Sequence, residues 1–305
     1  MASLKNIKLK ILSYKKTGTV THAMEAVSAV KMRKGQERAL SGRSYAAAAL
    51  SVLERLSGTA DIARHPLMKG QEGKSCFIVI TSDKGLAGAL NSAVIRNVEK
   101  EISARGLSKD SVIIAAIGKR GGEYFASRGY QIMHKSGNAR DDVSEEEMHE
   151  VTRQMIISFN IKEIGACFVA YQNFVSTFEQ EPVVRQIIPI TPSMVKEIVA
   201  GIRPARGKYA PQIEVKPQSP AAYTIEPDAD TVLDVLLPKL LNIAVFHALL
   251  ESKASEHSAR MVAMKSATDK AKEMAGNLTR TFNKVRQAAI TREVSEITSG
   301  IEAMR

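Results

Sequence analysis

Tryptophan is absent from this 305-residue sequence, and Phe, Tyr and Trp together make up only 5% of it. That scarcity argues against readers of single-stranded nucleic acid, which need aromatic platforms for base stacking. There are only two cysteines, Cys76 and Cys167, both in apolar runs. Two thiols exclude a disulfide framework, and without a CxxC or a His/Cys cluster there is no zinc pattern. No run approaches the ~18 consecutive apolar residues of a membrane span. The opening MASLKNIKLKILSYKK has no apolar core of a secretory signal. The chain is therefore expected to stay in a reducing, cytoplasm-like compartment. No Pro interrupts residues 4–57.

What is present is apolar and basic. Hydrophobic residues are 44% and charged residues 25%, the balance of a folded chain. The net charge is +11, unevenly spread. Residues 1–57 carry 11 Lys+Arg against 3 Asp+Glu, so +8 of the surplus lies in the first fifth. Such a segment is built to meet an acidic partner or to steer one.

Helix formers fill residues 4–57, with Leu4, Ile7, Ile11 and Tyr14 at steps of 3, 4 and 3. Met24, Val27 and Val30 resume an apolar stripe on a nearby face. The pattern predicts one long amphipathic helix with a basic back. The last segment is stronger. Asp228 is placed as an N-cap, and of sixteen positions at steps of 4 and 3 from Leu236 to Ala289 thirteen are apolar, the others being His247, His257 and Thr268. Near the end the register slips by one to Ile290, Val294, Ile297 and Ile301. A helix over 229–303 would be about 110 Å long, with Pro238 predicting a kink or a later start. It cannot bury its own seam, so the two chain ends are expected to form an antiparallel coiled coil, the longer helix projecting alone. His247 and His257 sit on the seam, ten residues apart, as packed polar residues rather than metal ligands.

Between these helices the texture changes. Runs at 75–81, 112–118, 130–134, 165–175 and 183–190 read as strands, the last two as a hairpin. Segments 86–105, 122–127 and 144–159 read as helices, the last with Ser144 and Glu147 as a capping box. The fold class is therefore α/β: a long antiparallel coiled coil of the N- and C-terminal helices plus a central domain with a mostly parallel sheet. The expected divisions are 1–57, 58–228 and 229–305, with Gly/Pro-rich residues 200–220 as an exposed loop.

Candidate chemistry is sparse. TSDKGLAGALN at 81–91 follows a strand and opens a helix, as a phosphate site would. It matches neither GxxxxGK[ST] nor GxGxxG, and reads as a tight turn capped by Asp83. GKRGG at 118–122 reads as a second turn. The acids at 141–150 lie at a helix start, where the macrodipole favours them. No nucleophile elbow, catalytic carboxylate pair or cofactor motif appears. Three classes stay open on these features: a mechanical shaft, a nucleotide-binding protein with a coiled-coil arm, and a coiled-coil nucleic-acid tether. The last lacks a helix-turn-helix or basic-zipper layout.

Several stretches point to a family. MASLKNIK at 1–8, THAMEAV at 21–27 and SAVKMRK at 28–34 resemble the first-helix motif of the γ subunit of F-type ATP synthase. TSDKGLAGALN resembles its strand-turn motif, and ESKASEHSARMVAMKSATD at 251–269 with NKVRQAAITRE at 283–293 resemble its C-terminal helix. The resemblance covers nearly the whole chain. It implies a non-catalytic central rotor stalk, present once per complex, whose coiled coil stands inside an α3β3 ring. The α/β body would be a foot on the membrane c-ring with the ε subunit. Rotation of the c-ring by protons would drive the catalytic sites through their states, and the shaft would regulate ATPase activity and proton flow. The resemblance implies no cofactor, no metal, no nucleic-acid partner and no direct membrane insertion. It places the chain peripherally on the cytoplasmic face of the bacterial inner membrane.

By position, Met24 falls where the shaft faces the acidic lobe of β. Arg286 and Gln287 match a pair that hydrogen-bonds a β loop, with Thr291 one turn nearer the tip. Tyr223 and Glu226 match the foot near the c-ring loops. Thr19 and His22 stand where lysines are usual, Ala87 where Cys is usual, and Arg292 where Gln is usual. The tail GIEAMR at 300–305 replaces a small apolar one.

Overall fold

The computed structural model describes residues 4–41, 65–137, 145–191 and 228–304. In chain order these form α1 (Leu4–Ser41), β1 (Lys74–Ile80), α2 (Leu90–Ala104), β2 (Val112–Ile117) and α3 (Lys119–Ser127). They continue as β3 (Gln131–Ser136), α4 (Glu145–Asn160), β4 (Ile164–Phe174), β5 (Gln180–Ile188) and α5 (Ala229–Ala303). The chain divides into two compact units, Met1–Ser28 with Arg260–Arg305, and Ala29–Ala259.

The larger unit holds one sheet in the order β3-β2-β1-β4-β5. β1, β2, β3 and β4 pair in parallel, and β4 pairs antiparallel with β5 as a hairpin. β1 and β2 are buried along almost their whole length, as central strands covered on both faces must be. One face packs α2 through Val94, Val98 and Ile102 against Phe77, Ile114 and Phe168. The other packs α4 and the first third of α5, with Val151, Met155, Leu237, Leu241 and Val245 against Ile78, Ile113 and Val169. Cys76 and Cys167 face each other in register between β1 and β4, both fully buried. Burial, and then the neighbouring Cys76, push the Cys167 thiol well above its ordinary pKa.

Asp228 caps α5: the Thr231 amide donates to its Oδ1 at 2.9 Å and the Thr231 hydroxyl to its Oδ2 at 2.7 Å. These bonds hold the Asp228 carboxyl below the usual range. The helix does not wait for Pro238, which lies inside it. Asp234, four residues before the proline, is exposed, so its carbonyl can turn to water. From Leu240 to Ser258 the helix is buried on nearly every face, not along a seam alone. Its buried residues there include Asn242, Glu251, Ser252, Lys253, Ser255 and Glu256 beside the apolar ones, and at Ala254 it meets Gly35 of α1. His247 and His257 are both buried, His247 Nε2 lying 3.8 Å from Glu251 Oε1. By length and composition α5 could cross a membrane, yet 56% of its most apolar stretch is buried within this chain. Core helices commonly show that combination.

The smaller unit is a helix pair. Gly18 of α1 lies against Ala271 of α5, and Thr21 against Thr268. One number rises as the other falls, so the helices are antiparallel. Along α5, Met264, Thr268, Ala271 and Ala275 are buried at steps of 4, 3 and 4, and Leu278, Phe282, Val285 and Ala289 continue half-buried. This is the heptad seam expected from the sequence. On α1 the seam runs through Ile7, Gly18, Thr21 and Ser28, whereas Val27 and Val30 are 54% and 58% exposed. The stripe expected at Val27 and Val30 is therefore on the outside. Small residues replace it because close helix approach leaves no room for branched side chains.

Candidate partner-binding surfaces

The two glycine-rich turns can be tested first as phosphate sites. Asp83 does not cap the helix that follows it; that helix starts at Leu90 after Ala89, with no side-chain cap. Its Oδ1 instead accepts the Lys119 amide at 2.8 Å, so it caps α3 in the next strand-to-helix turn. Thr81 Oγ1 accepts the Gly121 amide at 2.9 Å, and Ser82 O accepts the Arg120 amide at 3.3 Å. The three amides that would cradle a phosphate are thus already satisfied by protein oxygens. Asn91 closes the other side, its Oδ1 accepting from Ser82 N at 2.9 Å and its Nδ2 donating to Ser82 Oγ at 2.8 Å. Gly118 has a φ of 106°, and a Cβ there would stand 2.0 Å from Thr81 O. Both turns interlock structurally. Ala87 is buried in the first, and Leu86, with a φ of 64°, is exposed.

The expected partner residues fall in three places. Met24 is half-buried on α1, one turn past the Thr21 seam position. Arg286, Gln287 and Thr291 are all exposed on α5, and the Thr291 hydroxyl donates to Gln287 O at 3.0 Å. Tyr223 and Glu226 lie outside the described residues, as do 200–220 and Ser144. Met24 and Arg286 are not brought together: Thr21 pairs with Thr268, and Arg286 lies ~27 Å further along the helix.

Burial along α5 fades after Ala275, and from Ile290 every described residue is exposed. Ile290, Val294, Ile297 and Ile301 form a stripe at steps of 4, 3 and 4, all more than half exposed. Around it stand Arg286, Arg292, Glu293 and Glu296. On α1 the outward side carries Lys5, Lys8, Lys15 and Lys16, all exposed.

Sequence reasoning missed the Thr21–Thr268 pair, whose hydroxyls lie 2.6 Å apart. Each also donates or shares with its own helix, Thr21 at Thr17 O (3.0 Å) and Thr268 at Met264 O (2.8 Å). The signal was polar residues at heptad positions. It missed His65 too, whose Nε2 meets Asp234 Oδ1 at 3.0 Å while its Nδ1 accepts the Leu67 amide at 3.2 Å. The His65–Asp234 contact joins residues 169 apart in sequence, which no local pattern encodes.

A paired-helix unit and an α/β unit, each built in part from the same helix, define a class: proteins organised by one long C-terminal helix. The ATP synthase family model matches residues 3–304. The chain is 38% identical over 306 residues to the ATP synthase gamma chain of Geotalea daltonii and 37% identical over 305 to that of Heliobacterium modesticaldum, each match covering both chains fully. Among solved structures it is similar to a chain of the Euglena gracilis mitochondrial ATP synthase OSCP/F1/c-ring assembly. There the TM-score is 0.63 and identity 18%, over 99% of this chain and 94% of that one. A chain of the Tetrahymena thermophila central stalk and c-ring matches with TM-score 0.56 and 21% identity, over 81% and 99%. The chain belongs to the ATP synthase gamma chain family. Membership makes it a subunit of a membrane-associated ATP synthase complex.

Proposed function

We propose that this chain is a non-catalytic rotor shaft that couples proton-driven rotation of a membrane c-ring to the conformational cycle of an α3β3 ring. One copy serves each complex, on the cytoplasmic face of a bacterial inner membrane. The carrying observation is the bare end of α5: a helix with an apolar stripe from Ile290 to Ile301 that covers nothing in its own described residues. An isolated stripe of this length is stable when a surrounding partner covers it.

The shaft forms and breaks no bonds. It works by contacting the alternative conformations of its neighbours unequally, which is what shifts a conformational equilibrium. Met24 and the exposed lysines of α1 face carboxylates of the ring. Arg286 donates hydrogen bonds to a loop of a ring subunit, Gln287 pairs beside it, and Thr291 lies one turn nearer the tip. Tyr223 and Glu226 belong to the foot where it meets the c-ring, with ε alongside. Through these contacts the shaft also regulates ATPase activity and proton flow.

Co-expression with the α, β and ε subunits tests the reading. The chain should co-purify with the hexamer in a 1:3:3 ratio with α and β, and change its rate of ATP hydrolysis. Free hexamer with unaltered hydrolysis would reject it. The isolated chain should show no Mg-ATP turnover; turnover would reject the non-catalytic role.

A further inference from the structure

We propose that the cleft between α4 and the first turns of α5 binds an amphiphilic carboxylate, a single carboxylate group carrying an alkyl chain. The cleft lies wholly within the larger unit, and the inference goes beyond the rotor-shaft reading because it needs no other subunit. The cleft has a cause in the sequence. α4 and α5 lie on the same face of the sheet, with Val151, Met155, Leu237 and Leu241 fully buried there. Beside that contact stand Ile156, Ile157, Pro238 and Ile243. Isoleucines are stiff at χ1 and do not bend across to fill a gap. Pro238 has no N–H, and its ring pushes on the preceding helical turn. What is left is a cleft of about 410 Å³, within the range of small-molecule sites.

Its walls suit an alkyl chain. Ile157 is 48% exposed, and Ile161, one turn on, is 68% exposed, so apolar surface is left to water that a chain would cover. On the buried side the cleft is lined by Thr152 and Asn242, 2% and 6% exposed. The Thr152 hydroxyl donates to Met148 O at 2.9 Å and lies 3.4 Å from Asn242 Oδ1. These side chains are held before a ligand arrives, so little freedom is lost on binding.

The charge names the head group. His149 and Arg153 of α4 and Lys239 of α5 complete the lining, which includes no Asp or Glu. Arg153 is already engaged: its Nε and Nη2 donate to the two carboxylate oxygens of Glu150, both at 3.0 Å. Lys239 is exposed and makes no ion pair among the described residues. The cleft therefore offers one uncompensated ammonium, with a ring N–H of His149 as a further donor. One ammonium matches one carboxylate. A phosphate monoester, with close to two charges, would bring more charge than the lysine answers. An alkyl ammonium would meet like charge, and an uncharged alcohol would leave the lysine unanswered.

The test is equilibrium dialysis of the purified full chain against dodecanoate, kept below the concentration at which it forms micelles. Dodecanoate should bind saturably, one molecule per chain, and dodecanol about fivefold more weakly for want of the partly exposed ion pair. Acetate, which has the charge and no chain, should not bind saturably. Lys239→Met should weaken dodecanoate about fivefold and leave dodecanol unchanged, whereas Ile157→Glu should weaken both. Both positions face water, and an unchanged urea midpoint checks that each variant is folded; if Ile157→Glu is not, Lys239→Met alone decides. No saturable binding, or several molecules per chain, overturns the proposal. So does dodecyltrimethylammonium binding as tightly as dodecanoate, or an affinity for dodecanoate that Lys239→Met does not change. None of these outcomes touches the rotor reading.

Discussion

Thr21 and Thr268 show what one pair of side chains does in a seam of small residues. Their hydroxyls are buried and 2.6 Å apart. A register shift would separate them and leave polar groups facing alanine, which is how a buried polar pair fixes alignment at some cost in stability. Thr21→Val should lower stability by about 1 kcal/mol, and a double-mutant cycle with Thr268→Val should show positive coupling; strict additivity would contradict the pairing. Gly18 points the other way. An added Cβ would meet Ala271 Cβ at an ordinary 3.6 Å. Gly18→Ala should therefore stabilise the chain by roughly 0.5–1 kcal/mol, since a helix-interior glycine only costs backbone entropy. A rise in the urea midpoint would show it. Thr268 was legible as a polar position on the C-terminal seam, but Thr21 and Gly18 were not, because the stripe on the first helix was read from its larger apolar residues. Met24, by contrast, was legible on the helix, and its half-burial one turn past Thr21 fits the expected stripe. At the other terminus of the pattern, Asp228 was legible as a cap. Its carboxyl is held low by Thr231, so the folded state binds its proton less readily than the unfolded chain. The cap's contribution is then present at neutral pH and is lost as pH falls through the lowered folded pKa. Hydrogen exchange at the Thr231 amide should speed up below that range, and at pH 7 in Asp228→Ala.

At the level of elements, the five strands and their order of appearance could be read from apolar β-branched runs bounded by Gly and polar turns. What the runs did not carry was the start of α2. The turn after β1 occupies residues up to Ala89 because Asn91 and Ser82 close it with reciprocal side-chain bonds, and Leu86 and Gly88 take left-handed backbone. Nor did they carry the lending of Asp83 to α3, a contact between turns 36 residues apart. The two turns can be tested together. Gly118→Ala would set a Cβ against Thr81 O at a φ of 106°. It should cost several kcal/mol, as clashes at strained backbone do, measured by denaturant unfolding. An unchanged midpoint would mean that the turns are not locked. α5 was legible in extent but not in environment. Between Leu240 and Ser258 the sheet, α4, the hairpin tip and α1 at Gly35 all pack on it, and the heptad arithmetic does not distinguish these neighbours. Leu237→Ala or Leu241→Ala should cost about 2–5 kcal/mol, the range for buried leucines.

Across the whole molecule, the charge and the scarcity of aromatics take on definite places. Part of the positive surplus of the first segment sits on the outward side of α1, where Lys5, Lys8, Lys15 and Lys16 are exposed. Among the described residues Phe77, Phe125, Phe159, Phe168 and Tyr171 are buried in the sheet core, whereas Phe178 is exposed. The chain-end pairing followed from the sequence because two long seams in one chain have no cheaper way to bury themselves. The residues that face other subunits did not follow, because a lone sequence has no signal for contacts whose other half is in another chain; Arg286, Gln287 and Thr291 rest on family position. Arg286→Ala with Gln287→Ala should leave the fold intact and slow ATP-driven proton pumping. Full pumping would withdraw their assigned role. The central claim is that this chain turns within the ring. A bead attached to the foot of the chain, in an immobilised complex of α3β3 with this chain, gives the direct reading. Mg-ATP should drive sustained rotation in one direction, stopped by omitting ATP. A complex that hydrolyses ATP while the bead stays fixed or only fluctuates would contradict the account.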